Sequence, residues 1–171
     1  MAALFDGYAE DFDAHLLGTL KYRTPRQLRA ALAGRLVGVD LSAKMLARAR
    51  ERALYDDLIE GELVQALAGL DERFDVIVAA DVLVYFGELA PLFAAVARRL
   101  SPRGVFAFSV EQHAAAGYAL RPTGRYAHAA DYVRAQADAQ GLVVDYREQA
   151  VLRVDRGRDV AGEVWVLRAP G

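Results

Sequence analysis

Residues 31–50 read "ALAGRLVGVDLSAKMLARAR", and this stretch indicates the fold. The run from Arg35 to Val39 is short and apolar, as in a β-strand, and it ends on the carboxylate of Asp40. Ser42 can cap the helix that follows at once. In nucleotide-binding α/β folds, an acid at the tip of the second strand usually binds the ribose hydroxyls. We therefore expect Asp40 to bind a ribose; its alternative role is to share the capping of the helix with Ser42.

The residues before this strand predict a helix where a glycine-rich loop would be expected. The segment "TPRQLRAALAG" begins with a capping residue, Thr24, has Pro25 in its first turn and ends at Gly34. Residues 9–20 place apolar side chains on one face of an earlier helix. No two glycines in the chain are separated by a single residue, so a G-x-G type of loop is absent.

The residues after this strand alternate between strand and helix patterns. The segment "FDVIVAAD" (74–81) is almost continuously apolar, which is typical of a strand buried on both faces of a parallel sheet. The other predicted elements are a brief strand at 58–63, helices at 43–54, 88–100 and 129–140, a strand at 105–111, a polar loop at 112–127, and two tail strands at 142–154 and 163–168. This order predicts a doubly wound α/β fold, with a mostly parallel sheet, helices on both faces and a C-terminal antiparallel hairpin.

Composition narrows the classes of function. A chain of 171 residues with 54% hydrophobic and 26% charged residues predicts one globular domain. A net charge of −2 gives no general attraction for nucleic acid or for an anionic membrane, and no run of about 18 apolar residues is present. The absence of cysteine and the scattering of three histidines argue against a metal site. Because the N-terminal segment is acidic where a signal peptide would be basic and then apolar, we expect a cytoplasmic protein.

Four segments together resemble class I S-adenosylmethionine-dependent methyltransferases, and more narrowly a bacterial group that is sometimes fused to tetratricopeptide repeats. They are "LFDGYAEDFDAHLLGTLKYRTPRQL" (4–28), "GVDLSAKMLARARER" (38–52), the segment 74–111, and "GRYAHAADYV" (124–133). The resemblance runs along nearly the whole chain. It implies a Rossmann-like fold in a single domain, residues 1–171, with N-terminal lid helices at 1–33 and an α/β core at 34–171.

The resemblance also implies a cofactor, S-adenosylmethionine, which leaves as S-adenosylhomocysteine, and a set of residues around it. Asp40 would hold the ribose, and Ala80 and Asp81 would lie by the methionyl part. Leu41 and Met45 would lie beside the adenosine, and Glu62 and Leu63 would flank the adenine, with a surface acid as the alternative role of Glu62. Tyr8, Phe12 and Tyr22 would form part of a lid, for which ordinary core packing is the alternative.

The chain departs from the family pattern directly before residue 35. There the family has a first strand and a glycine-rich loop of the D-x-G-x-G type, and neither is present here. Three explanations stay open: a truncated chain, a sequence from which residues are missing, and a rewired domain. In the rewired domain, "HLLGTLKY" (15–22) would be the first strand and "TPRQLRAALAG" (24–34) its crossover helix.

Acids follow three of the predicted strands, at Asp40, Asp81 and Glu111. Because ligands of open α/β sheets bind at the carboxyl ends of the strands, these positions predict the site. His113 is the candidate base or substrate contact, with a solvent-exposed loop histidine as the alternative. The candidate contacts for a small soluble methyl acceptor are Tyr85, Glu111, Tyr118, Arg125, Tyr126 and His128.

Two other functions compete with methyl transfer. The first is a degenerate domain that binds no cofactor and serves as an interaction module. The second is a nicotinamide-dependent oxidoreductase, in which Asp40 would bind the ribose equally well. The absence of G-x-G-x-x-G, and of a tyrosine followed four residues later by lysine, argues against the oxidoreductase.

Overall fold

The computed structural model describes residues 34–155 and 157–171. The expected lid helices at 1–33, with Tyr8, Phe12 and Tyr22, and the alternative first strand at 15–22 lie outside the described residues. The chain divides into two compact units, with the boundary between Gly69 and Leu70.

The described part of the first unit is a β–α–β–α segment. Its elements are β1 (Val37–Asp40), α1 (Ala43–Glu51), β2 (Asp57–Glu60) and α2 (Leu63–Gly69). β1 and β2 pair in parallel, and their register sets Asp40 opposite Glu60 at the carboxyl end. Two acids therefore end neighbouring strands at the same edge of this small sheet.

Local chemistry explains how β1 turns into α1. The Ser42 hydroxyl accepts a hydrogen bond from the Met45 backbone N–H at 3.1 Å, which makes Ser42 the N-cap of α1. Leu46 is 2% exposed and anchors the inner face of that helix. A Cβ atom on Gly38 would come within 2.7 Å of the end of the Leu58 side chain, so a larger residue there would have to displace that side chain.

The second unit is built on a long central strand, β4 (Leu100–Gln112). The other elements are β3 (Phe74–Ala79), a short 3₁₀ turn (Leu83–Tyr85), α3 (Ala90–Arg99), β5 (Tyr118–Leu120), β6 (Tyr126–His128), α4 (Ala130–Ala139), β7 (Val143–Asp155) and β8 (Arg158–Arg168). β3 and β6 pair with β4 in parallel, whereas β8 pairs with β4, and β7 with β8, in antiparallel fashion. The sheet is therefore mixed, and the predicted α/β class and C-terminal hairpin are confirmed.

Aromatic rings fill the core of the second unit. Phe93 on α3 meets Phe106 and Phe108 of β4 edge-on, with ring centroids 5.7 and 5.5 Å apart. Trp165 on β8 is fully buried and stacks parallel to Phe108. These contacts pack α3 and β8 against the middle of β4.

Three sequence-based expectations about elements are wrong. Val76 and Val78 of β3 are 51% and 67% exposed, so β3 is not buried on both faces. The expected polar loop at 112–127 contains β5 and the start of β6, which pair as a hairpin. The brief strand predicted at 58–63 ends at Glu60, and Leu63 already begins helix α2, which buries Leu67. Short elements of this kind depend on their neighbours more than on their own periodicity.

Candidate functional site

Asp40 lies at the carboxyl end of β1, where the sequence predicts a ribose contact. Its Oδ1 atom accepts a hydrogen bond from the Ser42 backbone N–H at 2.8 Å. Its Oδ2 atom has no hydrogen-bond partner in the described part of the chain. Leu41 is 39% exposed and Met45 is half-buried, so both lie at the surface near this end of the strand. One carboxylate oxygen is thus free for a ligand while the other holds the turn.

The predicted adenine contacts, Glu62 and Leu63, lie at the start of α2. Glu62 Oε2 accepts a hydrogen bond from the Gln65 backbone N–H at 3.0 Å, so in this structure the side chain caps the helix. Leu63 is the first residue of α2. Glu60, which ends β2 directly opposite Asp40, was not among the sequence-based candidates, because the strand ends three residues earlier than its pattern indicates.

In the second unit, Asp81 and Glu111 are joined by an arginine. Asp81 follows the exposed residue Ala80 after β3 and has a positive φ of 56°, which is uncommon outside glycine. Its backbone N–H donates to the Ser109 hydroxyl at 2.9 Å. Arg153 of β7 donates from Nη1 to Asp81 Oδ1 and from Nη2 to Glu111 Oε1. Asp81 and Glu111 therefore lie close together, as their positions at the ends of predicted strands indicate. Arg153 completes this group, and it was not among the residues predicted from the sequence.

Burial and charge act in opposite directions on Asp81. Burial raises the pKa of the Asp81 carboxyl above its ordinary value, Arg153 and Arg125 lower it, and Glu111 raises it. The net shift is upward. A carboxylate with a raised pKa is a stronger proton acceptor, which is the property that a general base needs.

Arg125 lies beside the same group. Its side chain hydrogen-bonds with Tyr85, and its Nη1 atom is 3.7 Å from Asp155 Oδ2. The hydrogen bond and the nearby charges of Asp81 and Glu111 outweigh burial and raise the pKa of Arg125. The predicted substrate contact Arg125 is thus near enough to Asp81 and Glu111 for their charges to act on it, and it is hydrogen-bonded to a second predicted contact, Tyr85.

Three other predicted substrate contacts, Tyr118, Tyr126 and His128, form an aromatic cluster with Tyr132. The Tyr118 ring lies 6.0 Å from Tyr126, 6.1 Å from His128 and 5.4 Å from Tyr132, measured between centroids. Tyr118 is 42% exposed, whereas His128 is fully buried. Tyr132 was missed because its sequence pattern indicates only the face of a helix; its hydroxyl accepts a hydrogen bond from the Leu89 backbone N–H.

The buried His128 ring is held by backbone carbonyl groups. Its Nε2 atom lies 2.9 Å from the Phe86 carbonyl oxygen and 3.1 Å from that of Gly87, and both oxygens can only accept. Burial lowers the pKa of His128. The ring is therefore neutral with its proton on Nε2, and Nδ1 is buried without a partner among residues 34–155 and 157–171.

His113, the predicted base, is half-buried just beyond β4. Its backbone N–H donates to the His128 carbonyl oxygen at 3.0 Å and extends the pairing of β4 with β6. Within the described ranges, no hydrogen bond or ion pair joins the His113 side chain to Asp81 or Glu111. The His113 side chain is therefore not part of the ion-paired group that Arg153 forms with Asp81 and Glu111.

Comparison with known protein families gives one informative match. A family model described as a methyltransferase domain matches residues 17–108, which is more than half of the chain. No curated protein sequence matches the chain.

Among residues 34–155 and 157–171, the helices are too short or too polar to cross a membrane.

Several solved structures share the fold. The N-methyltransferase NodS from Bradyrhizobium japonicum WM9, in complex with S-adenosyl-L-homocysteine, is 22% identical, with a TM-score of 0.63 over 80% of this chain and 67% of that one. An S-adenosylmethionine-dependent methyltransferase from Mesorhizobium loti is also 22% identical, with a TM-score of 0.61 over 85% of each chain. The [4+2]-cyclase SpnF is 19% identical, with a TM-score of 0.68 over 86% of this chain and 70% of that one. At these identities the likeness shows the fold alone, and SpnF is named for a different reaction.

Proposed function

The chain belongs to the methyltransferase domain family, and we propose that it transfers a methyl group from S-adenosylmethionine to a small soluble acceptor. The observation that carries this proposal is Asp40 at the carboxyl end of β1, with one carboxylate oxygen bound to Ser42 and the other without a partner in the described residues. A carboxylate in that position can accept hydrogen bonds from ribose hydroxyls, and such charge-assisted bonds are stronger than neutral ones.

The residues of the first unit fit the nucleoside end of the cofactor. Asp40 would hold the ribose, and Leu41 and Met45 would provide the apolar surface beside the adenosine. Glu62 caps α2 here, so Glu60, which faces Asp40 across the strand pair, is the alternative polar contact. Bound S-adenosylmethionine supplies a methyl group on a positively charged sulfur, which an electron pair of the acceptor can displace.

The residues of the second unit fit the acceptor end. Asp81 and Glu111 each have one oxygen outside the ion pairs with Arg153, and that oxygen can accept a proton from an amine or a hydroxyl. The partly exposed Tyr118 ring offers an apolar surface for the body of a small acceptor. The chain's own contribution is to hold the acceptor in line and to take its proton.

The missing glycine-rich loop favours weak cofactor binding. In that loop, backbone N–H groups and small residues let a ligand approach the main chain, and no equivalent pattern occurs in this sequence. We expect the nucleoside contacts to remain and the affinity to be reduced.

Isothermal titration of the folded protein with S-adenosylhomocysteine tests the proposal. We expect a measurable heat and a rise in the thermal unfolding midpoint with ligand concentration. A flat titration at millimolar ligand, with a cooperative unfolding transition that the ligand does not move, would show that the chain does not act on this cofactor.

A second candidate function, an interaction module that has lost the cofactor, is favoured by the same missing loop. It predicts full stability without any ligand and no response to S-adenosylhomocysteine. Titration with NAD under the same conditions tests the oxidoreductase alternative, since heat with NAD and none with S-adenosylhomocysteine would reverse the assignment.

A further inference from the structure

Arg153 brings together two carboxylates that are far apart in the sequence. It lies on β7, 72 residues from Asp81 and 42 residues from Glu111, and it donates one terminal N–H group to each. The Arg153 and Glu111 side chains are 20% and 10% exposed, whereas that of Asp81 is 47% exposed. We call this group of three residues the Arg153 bridge.

The backbone around Arg153 is shaped to aim it. The pairing of β7 with β8 shifts register between Val151 and Arg153, so Leu152 is an extra, bulged residue. Beyond the bulge, Arg153 pairs with Val160, which is two residues from Gly162, the partner of Glu111. Because paired residues of antiparallel strands point to the same face, Arg153 shares a face with Glu111.

Gly162 makes room for the bulge. A Cβ atom there would overlap the Leu152 side chain and would lie 2.5 Å from the Val110 carbonyl oxygen. Glycine at this position therefore lets Leu152 pack down onto β8, beside the arginine. A bulge in the second-last strand and a glycine in the last strand together place one side chain over the carboxyl edge of β4.

The interactions of Arg153 are directed at the carboxylates alone. Its Nε atom is buried and has no hydrogen-bond partner in the described ranges, although buried polar atoms in proteins are nearly always paired. The two terminal nitrogens are used for Asp81 and Glu111. A side chain that only stabilised the hairpin could have used the carbonyl groups of its own strands.

We propose that Arg153 is a positioning residue for methyl transfer, which holds Asp81 and Glu111 so that their unpaired oxygens face the acceptor. The proposal rests on the proposed function, because Arg153 acts through carboxylates that would receive the acceptor's proton. Without the bridge, two neighbouring carboxylates repel each other, and one of them takes up a proton or turns away. The guanidinium offsets this repulsion and holds both carboxylates in one arrangement.

The first test is independent of catalysis. Carboxyl ¹³C NMR of protein labelled at aspartate follows the titration of Asp81, and the spectrum of Asp81→Asn identifies its signal. Arg153→Gln is expected to move the titration midpoint of Asp81 to higher pH, because a neighbouring positive charge is lost. Glu111→Gln is expected to move it to lower pH, because a neighbouring negative charge is lost.

The second test uses tyramine, which carries both an amine and a phenol, as probe acceptor. S-adenosylhomocysteine formation from S-adenosylmethionine is followed against pH. Arg153→Gln should lower kcat about 10-fold to 100-fold. It should also move the acidic limb of the plot of kcat against pH to higher pH. Arg153→Lys should restore the titration of Asp81 but only part of kcat, since one ammonium group cannot reproduce the fork of a guanidinium.

Arg168→Gln is the matched control, because Arg168 forms an ion pair with Asp145 at the other end of the same hairpin. It should leave the Asp81 titration and the pH profile unchanged. An unchanged Asp81 midpoint in folded Arg153→Gln, or a shift of equal size in Arg168→Gln, would overturn the proposal. If wild-type protein does not turn over tyramine, the NMR titration decides the role of Arg153 by itself, and the cofactor titration decides the proposed function.

Discussion

The carboxylate of Asp40 is divided between two roles, since Oδ1 accepts the Ser42 backbone N–H at 2.8 Å while Oδ2 has no partner among the described residues. From the sequence, binding a ribose and sharing the capping of α1 with Ser42 are alternative roles for Asp40. The structure makes the two roles compatible. One oxygen holds the turn from β1 to α1, and the other is available to a ligand. Variants of Asp40 and Ser42 can separate the two.

Asp40→Asn should lower the affinity for S-adenosylhomocysteine about 10-fold or more while keeping the fold. The amide oxygen can still accept from Ser42, but the amide nitrogen cannot accept from a ribose hydroxyl, and the negative charge is lost. Titration calorimetry measures the change. Ser42→Ala is the control: it should cost about 1 kcal/mol of stability through the lost N-cap and leave the affinity nearly unchanged. Equal affinity in wild type and Asp40→Asn would remove Asp40 from the site.

Gly162→Ala should destabilise the second unit by about 1–3 kcal/mol, because the added methyl group overlaps Leu152 and the Val110 carbonyl oxygen. It should also move the Asp81 titration upward, as Arg153→Gln does, since the bulge that aims Arg153 is displaced. Chemical denaturation and NMR measure the two effects. Gly69→Ala, at a helical position where a Cβ meets no atom within 4 Å, should be neutral or slightly stabilising. A Gly162→Ala variant as stable as wild type would contradict the packing described here.

Arg147→Met should destabilise the protein by about 2–4 kcal/mol, because it leaves the charge of Glu163 without its ion-pair partner. Glu163 is fully buried, and it accepts hydrogen bonds from Arg147 at 2.6 and 3.2 Å and from the Trp165 indole N–H at 3.1 Å. Urea denaturation measures the loss. Adding Glu163→Gln should recover part of it, since no buried charge then remains. Arg168→Met, at a more exposed ion pair of the same hairpin, should cost less than about 1 kcal/mol.

His128 should make the free energy of unfolding depend on pH on the acidic side of neutrality. Burial lowers the pKa of His128 in the folded protein below its ordinary value of 6.5. Its stabilising contribution is therefore complete above that value and is lost as the pH falls below it, where the unfolded chain takes up a proton and the folded chain does not. Denaturation at about pH 7.5 and about pH 5.5 measures the loss. The NMR titration of the His128 ring C–H gives an independent check, and a midpoint at or above 6.5 would contradict this environment.

Sequence patterns predicted the elements that carry their own local signals. Ser42 indicates the start of α1 because its hydroxyl can accept a hydrogen bond from a backbone N–H three residues later, as it does from Met45. The predicted helix at 129–140 stops before Gly141, which has a φ of 67°, because a left-handed residue closes a helix most readily when it is glycine. By contrast, β5, β6 and α2 have too few residues for a period to be read, and pairing or packing with neighbours defines them.

Part of the Arg153 bridge follows from the sequence. Asp81 and Glu111 were predicted as site residues because ligands of α/β sheets bind where strands end, and in the structure Arg153 joins these two carboxylates. Arg153 carried no such signal, since an arginine in a polar-looking hairpin has the composition of an ordinary exposed strand residue. His113 was chosen for the ordinary pKa of histidine and its place in the chain, but among the described residues no hydrogen bond or ion pair joins its side chain to Asp81 or Glu111.

The sequence by itself determined the α/β class, the strand ends that carry acids, and the absence of a glycine-rich loop, because each of these follows from residue types at short spacings. Only the tertiary structure decided that Asp81, Glu111 and Arg153 form one group. That group depends on the order of β3, β4, β8 and β7 in the sheet and on a bulge at Leu152. A one-residue change of register would turn Arg153 to the opposite face, and no local pattern in the chain specifies that register.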